Sequence, residues 1–247
     1  MRPARLTARP AVVLVAHGSR DPRAAEATSA LARAVRRARP EWEVRAAYLD
    51  HAGPRPLDVL AAMPGRHAVV VPLLLTKAYH GRVDIPAVLE AASDLPLTVT
   101  LADVLGPAYP AVPPLLVDAL VRRLPADGLD AVVLAAAGTR DAAARTTVEW
   151  VADALSARLS LPCLAAYASA AAPTPGAAVD LLRAAGARRV GVAAYFLAPG
   201  FLYDRAAASA LEAGAAAVAQ PMTDAPELVR LVEARVGAVA ARTPAAA

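Results

Sequence analysis

The chain has 247 residues, enough for one large domain or two of ordinary size, and alanine carries much of its 57% apolar content, which marks a helix-rich composition and not a membrane protein. Its net charge of +4 rests on arginines, Lys77 being the one lysine; they are scattered along helical stretches such as 33–39 with few aromatics between them, which argues against a nucleic-acid partner. The single cysteine, Cys163, cannot form an internal disulfide, and the cytoplasm is the expected compartment.

Apolar, β-branched runs alternate with helical patterns from the outset. Arg2 and Arg5 ahead of the run 11–16 only faintly imitate an export signal, because the run is too short and meets His17 at once; it is read as the first strand. Further strands are predicted near 43–49, 68–74 and 97–102, with helices near 22–38, 55–63, 85–93 and 111–124. Asp21-Pro22 offers a capping carboxylate followed by proline at the first helical position. The uninterrupted run Val69–Leu75 suits a parallel strand covered on both faces. A boundary is expected at Pro125-Ala-Asp-Gly128, giving lobes of residues 1–126 and 127–247. Strands near 131–136, 162–167, 189–196 and 215–219 then repeat the order, and the tail from about Arg242 is expected to be disordered. The longest uncharged run, 159–179, holds Pro162, Pro173 and Pro175 and makes a poor membrane span. The fold class is α/β, with a doubly wound, Rossmann-like parallel sheet in each lobe.

The lobes are copies of one another. Ala11-Val-Val-Leu-Val-Ala-His-Gly-Ser-Arg-Asp21 reappears as Ala131-Val-Val-Leu-Ala-Ala-Ala-Gly-Thr-Arg-Asp141. Arg45-Ala-Ala-Tyr48 is echoed by Leu164-Ala-Ala-Tyr167, and Val69-Val-Val-Pro-Leu-Leu-Leu75 by Gly191-Val-Ala-Ala-Tyr-Phe-Leu197. Three matches in the same order at a near-constant offset identify an internal repeat.

Ligands of open parallel sheets bind beyond the carboxyl ends of the strands. That rule selects His17 after the first strand, Asp50 and His51 after the second, and His80 a few residues past the third. Two imidazoles and a carboxylate from three strands suit iron, cobalt, nickel or zinc. Each also has a structural alternative: a hydrogen-bonded loop histidine for His17, a helix cap for Asp50 and for Asp84. His67 precedes its strand and sits at the wrong edge. No dinucleotide fingerprint or P-loop follows the first strand, and Ser19 lacks a nucleophile elbow and reads as a turn residue. The arginines fit either a compositional bias or an acidic small molecule.

His17-Gly-Ser-Arg-Asp21, Tyr48-Leu-Asp50 and Pro72-Leu-Leu-Leu-Thr-Lys-Ala-Tyr-His80 leading to Asp84-Ile-Pro86 together resemble the CbiX/SirB family of sirohydrochlorin chelatases, class II enzymes that insert a divalent metal into a tetrapyrrole without ATP. The resemblance spans nearly the whole chain, since long members of that family consist of two homologous halves with the active site between them. It implies His17 and His80 as catalytic and metal-binding residues, with Asp50, in place of a glutamate, as a third ligand for which His51 could substitute. In the second half His17 aligns with Ala137 and His80 with Leu202, so that lobe is expected to wall the cleft and grip the macrocycle. Arg20, Arg82, Arg140 and Arg205 are candidates to position an anionic substrate. The implied reaction is insertion of Fe2+, with Co2+ or Ni2+ as alternatives, serving sirohaem or cobalamin synthesis. No cofactor beyond that metal, a monomer, and neither a nucleic-acid nor a membrane partner are expected. The competing reading is a metal or tetrapyrrole carrier without catalysis.

Overall fold

The computed structural model describes residues 10–65, 67–76, 84–107, 111–125 and 128–242, with Asp84 by its backbone alone. The expected disorder beyond Arg242 therefore concerns residues outside this set. Two four-stranded sheets carry the fold. The first contains β1 (Ala11–Ala16), β2 (Glu43–Tyr48), β3 (His67–Pro72) and β4 (Thr98–Leu101) in the order β2-β1-β3-β4. The second contains β5 (Ala131–Ala136), β6 (Cys163–Tyr167), β7 (Val190–Tyr195) and β8 (Ala217–Val218) in the order β6-β5-β7-β8. Every strand pair is parallel. The predicted strands stand within two residues of these limits, and those at 11–16 and 131–136 coincide with them.

The helices are α1 (Pro22–Ala38), α2 (Pro56–Ala61), α3 (Asp84–Ala91), α4 (Pro114–Arg123), α5 (Ala142–Leu159), α6 (Pro175–Ala184), α7 (Phe201–Glu212) and α8 (Pro226–Arg242). The first turn of α1 is fixed locally: Asp21 Oδ1 accepts from Arg23 N at 3.0 Å, and Pro22 has no amide hydrogen to leave unpaired. Asp141 does the same for α5, accepting from Ala144 N at 3.3 Å.

Strand β1 is buried on both faces, as an unbroken apolar run requires. Ala11, Val13 and Val15 pack outward against Leu60, Val70 and Ile85. Val12 and Leu14 point the other way, into a core that continues through Leu116 and Leu120 to Val132, Leu134 and Leu228 of the second lobe. That shared core is built by exchange. Helix α4 closes the first half of the chain but packs on α5 and β7, while α8 closes the second half and packs on α1 and β3. The two exchanged helices also pack on each other, and the Arg122 guanidinium grips buried Glu227 there through Nε and Nη2, at 2.9 and 2.7 Å from Oε1.

Candidate active site

In a sheet of order β2-β1-β3-β4, the chain leaves β1 to one side for β2 and crosses to the other for β3, which opens a crevice beyond the carboxyl ends of β1 and β3. His17 is the first residue after β1 and lines that crevice, a cavity of about 150 Å³ bounded also by Gly18, Thr28 and Tyr48. The repeat places a second crevice beyond β5 and β7, with Ala137, Gly138, Val148 and Tyr167 in the corresponding positions, and its volume is about 490 Å³. His17, Leu73 and Leu197 line both, so the two crevices meet where the lobes face each other. The second is walled mainly by apolar side chains, among them Phe196 and Leu202.

The loops that form these crevices are equivalent down to single hydrogen bonds. Gly18 has φ +95°, and a Cβ there would lie 1.8 Å from the Asp50 carbonyl oxygen; Gly138 has φ +94° and meets Ser169 O at 1.9 Å in the same way. Ser19 Oγ accepts from Asp21 N at 3.0 Å, as Thr139 Oγ1 accepts from Asp141 N at 3.1 Å, so Ser19 is the turn residue its sequence context suggests. Tyr48 N donates to Pro54 O and Tyr167 N to Pro173 O, closing matching loops whose X-Pro bonds are both cis. Onto this common backbone the first lobe places His17 and Asp50; the second places Ala137 and Ser169.

Three of the residues expected at the first rim are neighbours. The His17 and His51 rings meet edge to face, 6.3 Å between centroids. Asp50 N donates to His17 O at 2.8 Å, tying the two loops together. The Asp50 carboxylate accepts from His51 N at 2.8 Å and lies 3.5 Å from His51 Nε2 and 3.9 Å from Arg55. The backbone hydrogen bond from His51 holds the Asp50 carboxyl below the usual carboxylate range, and the charges of His51, Arg55 and His17 outweigh, together with it, the opposing effect of burial. Asp50 is thus an anion on the first-lobe rim, and its side chain is 55% exposed. Among the described residues no group of three His, Cys, Asp or Glu side chains converges on one point. His80 and Arg82 lie outside the described residues. Burial pushes the Cys163 thiol up to about 12, which leaves no thiolate to compete for a metal.

Arg20 and Arg140 occupy equivalent, exposed turns, and Arg205 is exposed on α7; none of the three lines either crevice. A different arginine, which the sequence reading passed over, joins the lobes. Arg23 Nη2 lies 2.5 Å from Asp21 Oδ2 and 2.6 Å from Asp204 Oδ2 on α7. Two tyrosines were also passed over. Tyr195 is buried and its hydroxyl donates to Leu75 O at 2.9 Å, pinning the loop after β3 to the second lobe. Tyr167 is 3% exposed, and its hydroxyl has no hydrogen-bond partner among the described residues. Burial raises its phenol above the ordinary value; the Glu149 charge adds to this and the Arg145 charge opposes it. No helix among the described residues is long and apolar enough to cross a membrane.

The model of the CbiX family matches residues 11–126 and again 131–239, one match to each repeat. Among known structures, SirB from Bacillus subtilis with Fe3+ superimposes with a TM-score of 0.77 at 20% identity, covering 94% of this chain and 96% of that one. The sirohydrochlorin chelatase SirB from Bacillus subtilis subspecies spizizenii, in complex with cobalt, gives 0.75 at 20% identity over 94% and 96% of the two chains. CbiX described as the terminal enzyme for biosynthesis of siroheme in denitrifying bacteria gives 0.65 at 18% identity over 93% and 99%. At such identities the likeness is one of fold. A comparison with curated proteins by sequence finds no match.

Proposed function

This chain belongs to the CbiX family, and on that premise we propose that it inserts a divalent metal, Fe2+ first and Co2+ as the alternative, into sirohydrochlorin without ATP. The observation that carries the reading is the asymmetry of two otherwise equivalent crevices. His17 supplies an imidazole at the switch point of the first-lobe sheet and lines both crevices, while Ala137 takes the equivalent place in the second lobe, beside a larger and mainly apolar space. That division supports metal on the first lobe and macrocycle across both. Structures of relatives with iron and cobalt bound support the choice of metals.

Insertion exchanges two pyrrole N–H protons for one divalent cation, with no change in oxidation state. A ligand for this work must bind the incoming cation, yield it to four nitrogens, and accept a proton in the same place. Imidazole does all three, since it titrates near neutrality and binds borderline metals less tightly than thiolate. His17 takes this role, with His80 as the second imidazole. Asp50, an anion on the rim, attracts the aquated cation towards His17 and balances its charge. Apolar walls in the second crevice suit the flat macrocycle. The reading carries with it a monomer, since one chain supplies both walls, acting in the cytoplasm with no cofactor beyond the metal it inserts. It serves sirohaem or cobalamin synthesis according to the metal.

The test is anaerobic incubation with sirohydrochlorin and Fe2+, Co2+ or Ni2+ in parallel, followed by absorbance. Catalysed insertion with Fe2+ or Co2+ is expected. A rate equal to the uncatalysed one with every metal would leave a carrier, not an enzyme.

A further inference from the structure

Both imidazole positions of the first lobe are aliphatic in the second. Ala137 stands where the repeat puts His17, and Leu202, in the first turn of α7, where it puts His80; both line the second-lobe crevice of about 490 Å³. No Asp, Glu, Lys or Arg is among the described residues that line it. Val148 and Phe196 extend the apolar wall. Of the tyrosines on that wall, Tyr195 already donates its hydroxyl to Leu75 O at 2.9 Å, and the Tyr167 hydroxyl is itself buried. The polar side chains that remain are Thr76, Thr139 and, where the crevices meet, His17. Arg140 directly follows Thr139 in the chain, yet it is exposed and lies outside the lining.

A carboxylate carried into such a space gives up its hydration and meets no cation. A methyl group gains by leaving water for it. Sirohydrochlorin bears eight carboxylates around its rim, but its two faces differ. At each of its two reduced rings, one saturated carbon carries a methyl group on one face of the macrocycle and an acetate on the other, and the two methyl groups share a face. We propose that the second-lobe crevice selects this methyl-bearing face, with Leu202 as the specificity-determining contact; the proposal rests on the chelatase reading above. With that face against the second lobe, the acetates at the reduced rings stay in water on the other side of the ring. The substrate class is thereby narrowed to tetrapyrroles methylated at their reduced rings.

Binding of two metal-free tetrapyrroles to the full-length protein, followed by absorbance, tests it. Uroporphyrin III carries the same eight carboxylates as sirohydrochlorin but lacks those two methyl groups. Wild type should bind sirohydrochlorin about tenfold more tightly, the factor expected for burying two methyl groups. Leu202→Asn keeps much of the side-chain volume and adds an amide. It should raise the sirohydrochlorin Kd about tenfold and leave the uroporphyrin III Kd within twofold, with the Kd for Co2+ alone also within twofold as a check on the fold. Leu202→Arg, which supplies the missing cation, should weaken sirohydrochlorin binding as well. Tighter binding by Leu202→Arg would overturn the inference, because carboxylates would then enter the crevice. So would equal loss of both tetrapyrroles in Leu202→Asn, or a wild type that binds the two within twofold of each other; each leaves the chelatase reading standing. A wild-type protein that neither binds nor metallates sirohydrochlorin would overturn both.

Discussion

Tyr195→Phe removes one oxygen atom from the junction between the lobes and leaves the ring in place. Tyr195 is 3% exposed, and its hydroxyl donates across 120 residues of chain to Leu75 O at 2.9 Å. With the donor gone, the Leu75 carbonyl keeps its burial and loses its partner, which costs about 1–3 kcal/mol. Leu75 is only half-buried, so the lower half of that range applies. For a chain of this size each kcal/mol moves the Tm by roughly 2–4 °C, so a fall of about 2–8 °C is expected in thermal unfolding followed by circular dichroism. The loop so released leads in sequence to His80, and kcat should fall with it. The sign sets this substitution apart from Tyr167→Phe, which deletes the same atom from the same lobe and should not lower the Tm. Equal Tm values for wild type and Tyr195→Phe would refute the reasoning, because the inter-lobe hydrogen bond would then hold nothing.

Gly18→Ala and Gly138→Ala form a matched pair, each driving a Cβ to within 2 Å of a facing carbonyl oxygen at φ near +95°. Both should lose more than about 2 kcal/mol in urea unfolding, while only Gly18→Ala, which displaces the Asp50 and His17 loops, should also weaken Co2+ binding. Glu227→Gln tests the pair between the exchanged helices. The Arg122 hydrogen bond lowers the Glu227 pKa, so its stabilisation is present above the ordinary glutamate value near 4.5 and is lost as pH falls through the lower folded value. The variant should be less stable than wild type at pH 7, by an amount that the exposure of Arg122 keeps modest, and the gap should close in acid. A gap that is constant from pH 7 to 3 would show that the charge contributes nothing.

The strands were legible because burial on both faces leaves an unbroken apolar run, as in Ala11–Val15 and Val69–Pro72, and because proline or a capping aspartate marks where the helices start. The repeat was legible to the residue, and it extends further than identity suggests: Asp50 and Ser169 differ in chemistry yet take the same backbone path, since Gly18 and Gly138 press on their carbonyls. His17 and Asp50 were found at the first rim because strand ends fix where ligands bind. The exchange of α4 and α8 was not legible, since two amphipathic helices look alike whichever sheet they cover. Arg23, Tyr195 and Tyr167 were missed for a related reason. The placing of Arg23 and Tyr195 depends on Asp204 and Leu75, and that of Tyr167 on having no hydroxyl partner among the described residues; partners remote in sequence leave no local pattern. Arg20 and Arg140 were chosen from their place after a strand; both are exposed, and neither is among the residues that line the two crevices.

In the proposed reaction the metal is handled at the first-lobe crevice through His17. The most direct test of this is the initial rate of anaerobic Fe2+ and Co2+ insertion into sirohydrochlorin by wild type and His17→Ala, with sirohydrochlorin Kd measured alongside. Insertion should fall to the uncatalysed rate in His17→Ala while the macrocycle Kd stays within a few-fold of wild type. Insertion by His17→Ala at the wild-type rate would contradict it.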